Sequence, residues 1–112
     1  MPDVEHTVLA KATPLTNEAL AEFCRRWKVA ELAVFGSILS EHFSPDSDVD
    51  LLVTFRPDAD WGLFDHVKME QELKRLLNRD VDLVSRRAIE RSRNWIRRKA
   101  ILGSAQVVYA NR

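Results

Sequence analysis

The sequence predicts an α/β fold in which a small mixed β-sheet is flanked by helices. Its 112 residues are enough for one domain and too few for a second core, so residues 1–112 are expected to form a single domain. Helical and strand patterns follow one another in the order helix, strand, short helix, strand, helix, strand, helix, strand. One strand, "VDLLVTF", is almost entirely apolar, which is typical of a strand in the middle of its sheet.

The chain is expected to begin with an arm and a first helix. Residues 1–14 are predicted to form a loose N-terminal arm, with an edge strand over Thr7–Ala10 as the alternative. A helix is predicted over about 17–28 because apolar side chains recur there at helical spacing. Thr16 is the expected N-cap, since its hydroxyl can accept a hydrogen bond from a free N–H group of the first turn. The apolar positions of this helix are Leu20, Phe23, Cys24 and Trp27.

A short strand and a short helix are expected next. The strand covers 30–35 and is stopped by Gly36. A helix starting at Ser37 is predicted from apolar residues that share one side of it, and Pro45 is expected to end it. Those residues are Ile38, Leu39 and Phe43.

The second half of the chain adds two strands beyond "VDLLVTF", residues 49–55, and two helical stretches. A four-turn helix before Asn78 is predicted from Leu63, Val67, Glu70, Leu73, Leu76 and Leu77. Of these residues, Leu63, Val67, Leu73 and Leu77 are expected in the core. Strands are predicted at 81–85 and at the closing "AQVVYA". Between them lies one basic helical stretch with Ala88, Ile89, Trp95, Ile96 and Ile101. The sequence leaves open whether Trp95 and Ile96 belong to the core or to an interface.

Composition excludes several classes of protein. The apolar fraction of 46% and charged fraction of 30% are those of an ordinary globular protein rather than a disordered or fibrous one. No apolar run reaches the roughly 18 residues of a membrane helix, and the N-terminus does not resemble a signal peptide. Cys24 is the only cysteine, so no disulfide can form within the chain. We therefore expect a cytoplasmic, reducing location and no membrane partner.

A net charge of zero conceals an uneven distribution of charge. Residues 1–60 contain 11 acids and 5 bases, whereas residues 61–112 contain 6 acids and 12 bases. Seven of those bases fall within 86–99, against the single acid Glu90. This basic stretch is either a solvated face or a contact for a partner or a triphosphate, and nucleic acid is a less favoured alternative.

Three aspartates are set into apolar strands. Asp48 and Asp50 are two residues apart, so their side chains leave the same face of one strand. Asp82 occupies the equivalent place in "VDLV", and the three carboxylates converge if the two strands are neighbours in register. Two carboxylates about 4 Å apart repel by roughly 1 kcal/mol in water and about 4 kcal/mol near a protein surface. Such a cluster holds either a proton or a cation.

The chemistry of these carboxylates favours Mg²⁺. Oxygen ligands suit hard divalent cations, and magnesium completes its shell with substrate phosphates. Two such ions would stabilise the attacking and leaving oxygens of an in-line displacement at phosphorus. Gly36 and Ser37 could hold the phosphates, because a strand that turns into a helix presents free N–H groups to an anion. Ser37 is separated from Asp48 by ten residues.

Each residue also has a simpler interpretation. Asp48 lies in the turn "SPDSD", where an aspartate is more often a local cap. Asp82 could be an exposed strand position or the partner of an arginine. "DSDVDL" opens like a calcium loop, but Leu51 replaces the required glycine and Pro57 the required glutamate, and no P-loop motif is present. His6, His42 and His66 lack metal-ligand spacing.

Taken together, these motifs resemble a known family. "GSILSEHFSPDSDVDLLV" is similar to the Gly-Ser, ten residues, Asp-x-Asp signature of the polymerase-β-like nucleotidyltransferase superfamily. "RDVDLVS" resembles the strand that carries its third carboxylate. The similarity covers about 16–110, and the size and order of elements resemble the minimal nucleotidyltransferases, often paired with HEPN-domain proteins as antitoxin and toxin.

The resemblance implies a nucleotidyltransferase fold. It also implies Mg²⁺-dependent transfer of a nucleoside monophosphate from a nucleoside triphosphate to a hydroxyl, with ATP as donor of AMP or another triphosphate as donor of its own monophosphate. It implies that Gly36 and Ser37 bind the nucleotide, and that Asp48, Asp50 and Asp82 are catalytic residues and ligands of two Mg²⁺ ions. In the paired systems the acceptor is a tyrosine of the HEPN toxin. Because the site is small, little of this protein is left to cover a triphosphate. We therefore expect a partner, or a second copy of the chain in a homo-oligomer, to complete the site.

The sequence departs from the family pattern at one position. Many relatives read Gly-Ser-x-x-Arg, and the matching position here is Ser40. The alternative function is therefore a catalytically degenerate antitoxin, a binding module that neutralises its partner by complex formation alone.

Overall fold

A computed structural model describes residues 2–4, 16–41, 43–44 and 46–111, and for 2–4 only the backbone. It contains one mixed sheet of five strands in the order β1-β5-β2-β3-β4. The strands are β1 (Pro2–Val4), β2 (Val29–Phe35), β3 (Val49–Phe55), β4 (Val81–Ser85) and β5 (Gln106–Asn111). β3 and β4 run parallel, and the other neighbouring pairs are antiparallel. The predicted α/β class with a small mixed sheet is confirmed, as is the central position of β3.

Four α-helices and one 3₁₀ turn accompany the sheet. The helices are α1 (Asn17–Arg26), α2 (Leu63–Leu77), α3 (Arg86–Glu90) and α4 (Trp95–Ser104), and the 3₁₀ turn is Gly36–Leu39. Across the described ranges, no helix has both the length and the apolar character that crossing a bilayer requires.

The ends of the first two long helices follow the local sequence signals. The Thr16 side chain accepts a hydrogen bond from the Ala19 N–H at 3.1 Å, so the predicted N-cap is confirmed. α1 ends at Arg26, slightly before the predicted end, and Lys28 adopts a φ of 54°, a left-handed conformation outside the helix. Asn78 likewise ends α2 with a φ of 53°. Asparagine tolerates this conformation better than most residues, which explains the predicted stop.

Two predictions for the N-terminal half need correction. The arm over 1–14 is not loose throughout, because Pro2–Val4 pairs with β5 as an edge strand; Thr7–Ala10 lies outside the described residues, as do His6, His42 and Pro45. The helix predicted from Ser37 is only the 3₁₀ turn, which ends before Ser40. Its first residue has a φ of 75°, which an α-helix does not accommodate, and 3₁₀ segments rarely exceed one turn.

The prediction that the apolar residues at helical spacing in α2 lie in the core was partly wrong. Met69, Leu73 and Leu77 are buried, whereas Leu63 is 76% exposed and Val67 is 44% exposed. At about 100° per residue, Val67 lies roughly 200° and Leu63 roughly 240° around the helix from Met69, so both point away from the sheet.

The basic stretch is also divided differently from the prediction. It forms two helices, α3 and α4, because the Asn94 side chain accepts a hydrogen bond from the Arg97 N–H and starts a new helix. Trp95 and Ile96, in the first turn of α4, are 61% and 65% exposed and therefore outside the core.

The two faces of the sheet are covered by different helices. α1 and α2 cover the larger core, to which β3 contributes Val49, Leu51 and Val53. On the other face, a smaller cluster joins the sheet to α3 and α4; it consists of Ala33, Phe35, Leu52, Ile89 and Ile101. Side chains alternate along a strand, so Asp50 lies on the same face as Leu52, and Asp82 on the same face as Val84, which also packs on this cluster. The acidic side chains therefore share the α4 face.

The free edge of β4 is occupied by side chains of α2. The Leu83 N–H donates to Glu70 Oε2 at 3.1 Å, and His66 Nε2 donates to the Leu83 carbonyl at 2.7 Å. These bonds satisfy backbone groups that an edge strand would otherwise expose. His66 thus has a structural role, in agreement with its lack of metal-ligand spacing.

Candidate active site

The three aspartates lie at the amino ends of two neighbouring parallel strands. Asp48 immediately precedes β3, Asp50 is its second residue, and Asp82 is the second residue of β4. Asp50 and Asp82 are paired in register, which is the condition under which the sequence analysis expected the three carboxylates to converge. Neighbouring strands lie about 4.8 Å apart, so these two side chains project side by side from one face. Asp50 is half-buried, whereas Asp48 and Asp82 are exposed.

The three carboxylates interact electrostatically. Burial raises the pKa of the Asp50 carboxyl, and the negative charges of Asp82 and then Asp48 raise that pKa further. A hydrogen bond from the Ser37 backbone N–H lowers the pKa of Asp50, as does the positive charge of Arg97. Asp50 is therefore the centre of the cluster, where like charge accumulates and a cation would relieve the most repulsion.

Gly36 allows the 3₁₀ turn to approach Asp50 closely. Its φ of 75° favours glycine, and a Cβ at this position would overlap Oδ2 of Asp50. The carboxylate of β3 thus lies directly against the end of β2, and Phe35 is the register partner of Asp50. This contact explains why a glycine, rather than any small residue, precedes Ser37.

Ser37 connects the turn to both aspartates of β3. Its backbone N–H donates to the Asp50 carboxylate, and its Oγ donates to the backbone carbonyl of Asp48 at 3.5 Å. The predicted nucleotide-binding residues and the predicted metal ligands are therefore in direct contact. A free anion and the Asp50 carboxylate would compete for the same N–H group unless a cation bound Asp50.

The connection between Ser37 and Asp48 is held by a residue that sequence reasoning missed. The Arg79 guanidinium donates to the carbonyls of Ser44 and Ser47 at 3.0 and 3.1 Å, and it lies over the Phe43 ring at 4.5 Å from the centroid. These contacts hold the ten-residue connection against the start of β4. The one sequence signal was an arginine just before the strand "VDLVS", which does not by itself indicate a contact with a distant turn.

The donor set fits a hard divalent cation. All three side chains offer carboxylate oxygens, the ligands that Mg²⁺ prefers in proteins. Within the described ranges, no three His, Cys, Asp or Glu side chains already converge on one metal position. Repulsion among three unneutralised carboxylates favours such a spread arrangement. The roles of Asp48, Asp50 and Asp82 as ligands, and of Gly36 and Ser37 in nucleotide binding, stay predictions.

Comparison with known proteins gives the site a family context. Residues 17–108 match the family model described as the nucleotidyltransferase domain. Protein adenylyltransferase MntA of Thermococcus cleftensis is 36% identical over 69 residues, which are 62% of this chain and 68% of that protein. The range that the family model matches contains the glycine–serine turn and all three aspartates.

Solved structures share the fold. A candidate minimal nucleotidyltransferase is 32% identical, with a TM-score of 0.63 over 90% of this chain and 92% of that one. A complex of the tri-AMPylated HEPN toxin of Shewanella oneidensis with its MNT antitoxin contains a chain that is 20% identical, with a TM-score of 0.56 over 84% of this chain and 69% of that one. The sequence match over most of the chain and the shared fold lead to one conclusion: this protein belongs to the nucleotidyltransferase domain family.

Proposed function

We propose that this protein transfers AMP from ATP, or another nucleoside monophosphate from its triphosphate, to a hydroxyl of a protein partner, and that it acts in this way as an antitoxin. The contact between Ser37 and Asp50 is the observation that carries the proposal. It supports the proposal because the Ser37 N–H, a potential donor to phosphate oxygens, lies beside a carboxylate cluster suited to Mg²⁺. A binding module without catalysis has no need for a half-buried acid among other acids, which destabilises the fold.

Each of five residues has a proposed part in the transfer. Gly36 lets the backbone approach the phosphates, and Ser37 offers its hydroxyl and its N–H group to the phosphate oxygens. Asp48, Asp50 and Asp82 would hold two Mg²⁺ ions. When bound, these ions would offset the charge of the triphosphate and lower the pKa of the attacking hydroxyl.

The reaction is a displacement at the α-phosphorus. The acceptor oxygen forms a bond to this phosphorus, and the bond to the bridging oxygen of the β-phosphate breaks, so that pyrophosphate leaves. The hydroxyl proton passes to an exposed carboxylate, for which Asp82 is suited by its exposure and its position opposite Asp50.

Two relatives support the acceptor and the biological role. A named relative is a protein adenylyltransferase, which agrees with AMP as the transferred group. A chain of the same fold is the antitoxin of a HEPN toxin that carries AMP groups. We therefore propose a HEPN-type toxin as the partner and a tyrosine of that toxin as the acceptor.

The test is transfer of label from α-³²P-ATP to a HEPN-type toxin in the presence of Mg²⁺. Asp50→Asn is expected to abolish labelling, because the negative charge of the central ligand is lost while the shape of the side chain is kept. Asp60→Asn removes the same charge from an exposed residue outside the site and is the matched control. Toxin neutralisation in growing cells is measured with the same variants.

The outcomes separate the two functions that the sequence left open. Labelling by the wild type and by Asp60→Asn, together with loss of neutralisation in Asp50→Asn, supports transfer. Full neutralisation by Asp50→Asn with no labelling by the wild type would instead establish the antitoxin that acts by binding alone.

A further inference from the structure

The first turn of α4 places a cation over the face of the sheet that carries the aspartates. Ile101 of α4 is buried in one cluster with Leu52 and Phe35. Leu52 follows Asp50 by two residues on the same face of β3, and Phe35 is the register partner of Asp50. α4 therefore lies next to the aspartates on their own side of the sheet.

Arg97 is the residue of α4 that this packing directs toward the site. It precedes Ile101 by four residues, so the two side chains leave the same side of the helix about 6 Å apart along its axis. The positive charge of Arg97 interacts with the negative charge of the Asp50 carboxylate, which agrees with this placement. Lys99, two residues further on, lies about 200° around the helix from Arg97 and faces away.

The guanidinium of Arg97 is available for a ligand. It is exposed, and in the part of the chain that the structure describes this side chain forms no hydrogen bond or ion pair; the hydrogen bond to Asn94 comes from the backbone N–H. Two other arginines of the basic stretch are engaged: Arg86 pairs with Glu31 and Glu90, and Arg98 donates to the Ser92 carbonyl.

We propose that Arg97 binds the phosphates of the nucleotide, an inference that rests on the proposed function. A triphosphate brings more negative charge than a carboxylate-bound Mg²⁺ offsets. A guanidinium matches two phosphate oxygens with two parallel N–H donors. Arg97 thus supplies from α4 the cation that the 3₁₀ turn lacks, since position 40 is a serine.

The experiment measures the affinity for a nucleotide and the affinity for a metal ion alone, which loss of Arg97 should change in opposite directions. Arg97→Ala is expected to weaken binding of the non-hydrolysable ATP analogue AMP-PNP, with Mg²⁺ present, by about ten- to a hundredfold in calorimetry. The same variant is expected to bind Mn²⁺ alone about two- to fivefold more tightly, because a positive charge near the carboxylates is gone. Arg97→Lys keeps the charge but not the paired donors, so its loss of AMP-PNP affinity should be smaller.

Lys99→Ala is the matched control, since it removes one positive charge from the same helix on its opposite side. Equal AMP-PNP affinities for Arg97→Ala and Lys99→Ala would overturn the inference. So would weaker Mn²⁺ binding by Arg97→Ala, which would indicate that Arg97 only holds the aspartates in place. If the wild type binds no AMP-PNP at all, the proposed function itself fails, which is a different result.

Discussion

Replacing Gly36 by alanine tests the arrangement of the site most directly. The residue has a φ of 75°, and an added Cβ would overlap Oδ2 of Asp50. Alanine in this left-handed conformation costs about 1–2 kcal/mol. To make room, the Asp50 carboxylate must also move away from the Ser37 N–H, and a hydrogen bond to a charged group contributes about 1.5–3 kcal/mol.

Part of this loss is recovered when the Asp50 carboxylate moves away from Asp82 and Asp48. Two charges on neighbouring strands about 5 Å apart repel by roughly 1 kcal/mol in water and about 3 kcal/mol at an effective dielectric constant of 20. We therefore expect Gly36→Ala to lower the free energy of unfolding by about 2 kcal/mol. Loss of transfer activity should accompany it, because both ends of the site are displaced.

Urea denaturation of four variants separates the two contributions. Gly103→Ala is the control, since Gly103 lies in α4 with nothing within 4 Å of an added Cβ, and it should stabilise the protein by up to about 1 kcal/mol. Asp50→Ala removes the oxygen that the new Cβ would meet. When Gly36→Ala is added to Asp50→Ala, the free energy of unfolding should therefore fall only by the backbone strain of about 1–2 kcal/mol.

Two results would refute this reasoning. Gly36→Ala could unfold at the same urea concentration as the wild type, which would mean that the turn has no close contact with Asp50. Alternatively, the effects of Gly36→Ala and Asp50→Ala could be strictly additive, which would leave the overlap without energetic consequence.

Three further predictions concern the charge of the site and the stability of the fold. Because the pKa of Asp50 is raised in the folded state, ionisation of this residue destabilises the fold. The stabilisation that protonated Asp50 contributes is therefore complete below its ordinary pKa of 3.8, and it is lost as the pH rises through the higher pKa of the folded state. In urea titrations with EDTA, Asp50→Asn should therefore be more stable than the wild type at pH 7, by about 1 kcal/mol, and equal to it at low pH; equal stability at both pH values would contradict the shift. Thr16→Ala should lower the free energy of unfolding by about 1 kcal/mol through loss of the cap, whereas Asn17→Ala should not. Leu73→Ala should cost about 2–5 kcal/mol and Val67→Ala less than about 0.5 kcal/mol, and similar values for the two would mean that α2 packs as its sequence stripe first indicated.

Sequence reasoning succeeded where the signal is local. The cap at Thr16 and the helix stop at Asn78 depend on side-chain chemistry within one turn, and both are confirmed. The strands 49–55 and 81–85 were predicted with their bounds, because short apolar runs between turn residues have few alternatives. Sequence reasoning failed at α2, where Leu63 fits a helical stripe by its spacing but points away from the sheet and is exposed.

The sequence by itself determined the chemistry of the candidate site: which residues carry carboxylates, that two of them share a strand face, and that a glycine and a serine end the preceding strand. Tertiary structure decided which groups meet. The parallel register sets Asp82 beside Asp50, and the packing of Ile101 on the sheet brings Arg97 to the same cluster. The physical reason is that periodicity reports the direction of a side chain relative to its own element. Distances between elements depend on strand pairing and core packing, which residues distant in sequence establish together.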